Sequence, residues 1–93
     1  MALETAPYDS AEYLKTPEDV AAYLEAAFED GDAAIITHAL GVVARAEGMT
    51  EVAKQAGLTR ASLYKALSAD GRPEFATVLK VVQALGLKMT VAA

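Results

Sequence analysis

The chain has 93 residues, 54% hydrophobic and 23% charged, which makes it one small folded domain rather than a disordered tail. It has no cysteine, which excludes a disulfide scaffold, a thiolate zinc site and a cysteine nucleophile, and no apolar run approaches the roughly 18 residues needed to cross a bilayer. The net charge of −5 is unevenly spread: residues 1–32 hold nine acids and one lysine, a net of −8, while residues 33–93 hold four acids and seven bases, a net of +3.

An acidic front and a mildly basic back read either as a solvated acidic face or as two surfaces for two different partners. The start, Met1-Ala2-Leu3-Glu4, has neither a basic stretch nor an apolar core, so no secretory signal is expected and the cytoplasm is the simplest location. Residues 1–15 lack periodicity and read as an N-terminal arm; residues 16–93 read as the helical domain. Thr16-Pro17-Glu18-Asp19 starts a first helix, with Val20, Tyr23, Leu24, Ala27 and Phe28 on one face and Gly31 as its stop. Asp32 caps a second helix to about Glu47, whose broad stripe (Ile35, Ile36, Ala39, Leu40, Val42, Val43, Ala46) places it centrally in the core. Thr50 is expected to cap a short helix over Glu51–Ala56, and Thr59 another from Arg60 to about Leu67. Pro73 is expected to open a last helix to Leu85, with Phe75, Val78, Leu79, Val82 and Leu85 on its core face. Leu87-Lys88-Met89-Thr90-Val91 alternates apolar and polar, the period of a strand. The fold class expected is therefore all-α, a compact bundle of about five helices plus a short C-terminal β-strand.

The stretch from Met49 to Ser68 carries the functional signal. Two helices of about two turns joined at a glycine make a helix-turn-helix over residues 49–68. Ala53 sits where the helices cross, Gly57 suits the tight turn, and Val52, Leu58, Leu63 and Leu67 are the anchors. In such a unit the second helix enters the DNA major groove by its N-terminal end. There Arg60 can bind guanine in bidentate fashion, Ser62 can donate or accept, and the Ala61 methyl can meet a thymine methyl. Thr50, Lys54, Thr59, Lys65 and Arg72 are candidate phosphate contacts, and Tyr64 lies a turn further along. Some have plainer alternatives: Thr59 as a cap, Tyr64 as packing, Lys54 as a solvated charge. So few bases give one copy a weak grip on DNA, so a homodimer is required, and the strand edge at Leu87, Met89 and Val91 is the candidate interface; its alternative is pairing with the chain's own N-terminal arm. No catalytic set and no cofactor site is expected. His38 stands alone, and the acid pairs lie at helix ends, where caps and dipoles account for them.

Several blocks resemble the addiction-module antidote proteins of the HigA-like type, within the Xre/Cro-like repressor group. They are Tyr13-Leu14-Lys15, Asp19 to Leu24, Glu29-Asp30-Gly31-Asp32, Ala44 to Met49, Gly57 to Ser68, Pro73-Glu74-Phe75 and Val78 to Leu87. The resemblance spans about residues 8–91 and is most specific over Gly57–Ser68. It implies a non-enzymatic bacterial antitoxin that binds a toxin of the RelE/ParE superfamily and represses its own operon as a dimer through the helix-turn-helix. It also implies that Thr59, Arg60, Ala61, Ser62, Tyr64 and Lys65 form the recognition helix. An RNA-cleaving toxin is basic because its substrate is a polyanion, so the acidic front gains a partner. The alternatives are a stand-alone Xre/Cro-like repressor without a toxin, and an interaction domain that has lost DNA binding.

Overall fold

A computed structural model describes residues 14–93. Five helices follow in order: α1 (Pro17–Asp30), α2 (Ala33–Glu47), α3 (Met49–Ala56), α4 (Arg60–Ala66) and α5 (Phe75–Ala84). The start of α1 is fixed locally by a full capping box. The Thr16 hydroxyl accepts from the Asp19 amide at 3.1 Å, and the Asp19 carboxylate accepts from the Thr16 amide at 3.2 Å. Asp32 caps α2 by accepting from the Ala34 and Ile35 amides at 2.8 and 3.3 Å.

The core draws on all five helices. Leu40 and Val43 of α2, Leu63 of α4 and Val81 of α5 are completely buried. Val20 and Leu24 of α1 and Met49, Val52 and Ala53 of α3 complete the cluster with Leu67 and Val82. Among the described residues no polar or charged side chain is buried, so apolar burial drives the fold. Helix α2 is central, packing against both α1 and α3, while α3 also carries α4 and α5; its expected stripe is trimmed at both ends, because Ile35 and Ala46 are exposed.

Four expectations are corrected. Helix α3 begins at Met49, after Gly48, so Thr50 lies inside its first turn and caps nothing. Helix α5 begins at Phe75 with Glu74 as its cap residue, two positions beyond the start expected at Pro73. On its expected core face Val82 is buried and Val78 and Leu85 pack partly buried on the core, but Phe75 is 68% exposed and Val81, outside that set, is fully buried. A helix this apolar offers several possible stripes, and contact with α3 selects among them. Finally, residues 87–91 form no strand. Leu87 is held by its amide donating to the Val82 carbonyl at 3.2 Å and packs half-buried on the core. Beyond it, no partner strand exists among the described residues, and a lone strand leaves its ladder groups unpaired. Most of the N-terminal arm lies outside the described residues.

Candidate nucleic-acid interface

Helices α3 and α4 follow each other across a short turn and pack together. The turn between them is built by Gly57, whose φ of +74° is in the left-handed region that a glycine adopts without Cβ strain. Its amide donates to the Lys54 carbonyl at 3.2 Å, and the Leu58 amide to the Ala53 carbonyl at 2.9 Å. These two bonds make a Schellman closure of α3 and aim the chain into α4. Ala53 is buried, as its place at the crossing requires, and Leu63 and Leu67 anchor α4 from below.

That anchoring leaves the other side of α4 free. Thr59, Arg60, Ala61, Ser62, Tyr64 and Lys65 are all exposed. Thr59 is the cap of α4: its hydroxyl accepts from the Ser62 amide at 3.0 Å and donates to the Ser62 hydroxyl at 2.8 Å. The Arg60 side chain turns along the helix, donating to the Tyr64 hydroxyl at 3.3 Å, with its guanidinium 5.3 Å from the Tyr64 ring centre. Such an exposed cation–π contact is worth about 0.5–1 kcal/mol, enough to order the side chain and weak enough to release it. Tyr64 is thus a platform for Arg60, a role between the packing and contact alternatives.

Two depressions flank α4. Thr50, Arg60 and Tyr64 line one, together with Arg45 and Glu51. Ser62, Lys65 and Arg72 line the other, together with Asp70 and Gly71. Lys54 is exposed on α3 but lines neither. Arg72 reaches this position because its neighbour Gly71 presses on the C-terminal end of α4; a Cβ on Gly71 would lie 2.3 Å from the Ala66 carbonyl oxygen and 2.6 Å from that of Lys65. Arg45 is the residue that sequence reading missed. It sits in the last turn of α2, and one of its guanidinium nitrogens lies 3.3 Å from where a Cβ on Gly41 would stand. The sequence signal for it is the glycine one helical turn earlier, which clears room for the side chain to lie along α2.

Of the dimer residues expected from the sequence, Met89 and Val91 are exposed, while Leu87 is partly spent on the chain's own core. His38 is exposed on α2. Among the described residues no group of three or more His, Cys, Asp or Glu side chains could hold a metal ion, and no helix is long and apolar enough to cross a membrane.

No solved structure matches this chain significantly. It is 44% identical over 84 residues to a Haemophilus influenzae protein described only as uncharacterized, a match covering 90% of this chain and 87% of that relative. The family described as "probable addiction module antidote protein" matches residues 4–93. The chain therefore belongs to that family of antidote proteins.

Proposed function

We propose that this protein is the antitoxin of a bacterial type II toxin–antitoxin module, acting in the cytoplasm by binding rather than catalysis. It neutralises a RelE/ParE-superfamily toxin by direct contact and represses its own operon as an Xre/Cro-like DNA-binding dimer. The observation that carries the DNA-binding half is the exposed side of α4, where Arg60 is ordered on Tyr64 and Lys65 stands beside Arg72. Arg60 reads a base edge, with Ala61 and Ser62 beside it. Thr50, Lys54, Thr59, Lys65 and Arg72 hold phosphates. The toxin-binding half rests on family membership.

One copy supplies few phosphate contacts, so two recognition helices spaced about 34 Å apart are needed for specific binding. Met89 and Val91, exposed beyond the half-buried Leu87, are the proposed apolar contact for the second copy.

The test is co-expression of the tagged protein with the small gene beside it, followed by a mobility-shift assay of the eluate on the operon's promoter. A small basic partner in the eluate and a salt-sensitive shift are expected. A shift without a partner would assign the chain to the stand-alone repressors instead. Failure of both at low salt would leave an interaction domain without DNA binding.

A further inference from the structure

We propose that the corner where α1 turns into α2 is the surface that receives the toxin, with Ile35 as its apolar anchor and Glu29 and Asp30 as its acidic rim. This rests on the antitoxin reading above and adds to it the place of contact and the charge of the partner face. The starting observation is Ile35, a large aliphatic side chain left 45% exposed in the first turn of α2. Its backbone is held by the amide donating to the capping Asp32 carboxylate at 3.3 Å. Ala34 and His38 beside it are exposed as well. An exposed aliphatic residue just after the acids Glu29, Asp30 and Asp32 in sequence suits an interface anchor with a charged rim.

Charge selects the occupant. Residues 17–44 contain six acids and no lysine or arginine. On α1 the exposed positions Glu18, Ala22, Glu25 and Glu29 follow one another at helical spacing, and the last turn has no base. Alanine between the glutamates lets a partner approach the backbone closely. DNA is repelled by such a face, and a second copy would bring acid against acid. A basic protein is the partner it fits, and a toxin whose substrate is RNA carries that charge. The other exposed apolar group, Phe75, Met89 and Val91, has Glu74, Lys80 and Lys88 around it in sequence and no such bias. Apart from Lys15, just before α1, the bases of the chain lie at Arg45 and beyond, among them those on α3, α4 and the Arg72 loop. The antitoxin can therefore hold toxin and operator at once.

The variants that test this are Glu29→Lys with Asp30→Lys, and separately Ile35→Lys. Lysines in the last turn of α1 favour its dipole, so the double variant keeps its fold. Asp32 is left intact because it caps α2. The toxin released from the co-expressed complex is titrated onto each antitoxin by surface plasmon resonance. Each variant is expected to weaken the complex at least about 10-fold, with an unchanged circular dichroism spectrum and an undiminished promoter shift. The double variant should also flatten the salt dependence of toxin association. Wild-type binding retained within about 3-fold by folded Glu29→Lys/Asp30→Lys and Ile35→Lys chains would overturn the surface while leaving the antitoxin reading intact. A wild-type chain that binds no toxin would overturn both.

Discussion

Gly71→Ala tests how the loop after α4 is held. Its added Cβ would lie 2.3 Å from the Ala66 carbonyl oxygen, 2.6 Å from that of Lys65 and 2.8 Å from the Ala66 carbonyl carbon. All three are backbone atoms, so no side chain can swing away. Restoring ordinary contact requires the loop or the helix end to retreat by about 1 Å, an overpacking cost of about 1–3 kcal/mol. The lower entropy of the unfolded alanine chain offsets about 0.4–1 kcal/mol of it. A net loss near 1 kcal/mol follows, and at roughly 4–8 °C per kcal/mol for a domain this small, Tm should fall by about 4–8 °C. Thermal unfolding by circular dichroism reads the shift. Gly57 supplies the control, because its φ of +74° makes it a conformational glycine with no atom within 4 Å of an added Cβ. Gly57→Ala should cost about 1–2 kcal/mol and Gly57→Asn clearly less, since asparagine tolerates the left-handed region. Asparagine at position 71 should instead be no better than alanine, because the clash remains. A Gly71→Ala chain as stable as wild type, or an asparagine rescue at 71, would refute the close approach. Because Arg72 is the next residue, Gly71→Ala should also weaken promoter binding.

The two threonines of the helix-turn-helix should separate. Thr59→Ala removes the cap of α4 and should cost about 1 kcal/mol in urea unfolding, whereas Thr50→Ala removes no cap and should stay within about 0.5 kcal/mol. Equal losses would mean that Thr59 does not cap. Arg60→Ala should weaken operator binding by about 10- to 100-fold per half-site and relax base preference, in a competition mobility-shift assay. Only its exposed contact with Tyr64 is lost from the fold, so Tm should move by a few degrees at most. Unchanged discrimination between operator and random DNA would remove Arg60 from the reading role.

Features set by short-range chemistry were legible in the sequence. Thr16-Pro17, Asp32 and Thr59 act on amides two or three residues away, and Gly31 and Gly57 supply positive φ at the ends of α1 and α3. Four glycine or capping signals therefore placed α1, α2 and α4 to within a residue or so, and the buried Ala53, Leu63 and Leu67 followed from helical spacing. Thr50 misled because it is a good cap residue two positions too late: Gly48 already breaks the chain, and α3 starts without a side-chain cap.

The α5 core face, the tail, the Arg72 loop and the place of Arg45 could be decided only in three dimensions. Thr77, Lys80 and Gln83 mark a polar side of α5 but leave the limits of its apolar face open, and packing on α3 buried Val81 and left Phe75 outside. Alternation at Leu87–Val91 states a preference for a strand, but a strand exists only where a neighbour completes its ladder, and among the described residues none does. Gly41 and Gly71 look like any other glycines until the helix and loop that crowd them are in place. Local hydrogen bonds and helical period fixed the five helices, and the starts of α1, α2 and α4, from the sequence alone. Contact between distant segments, on which sequence neighbours have no influence, decided which of their faces met each other and which were left for partners.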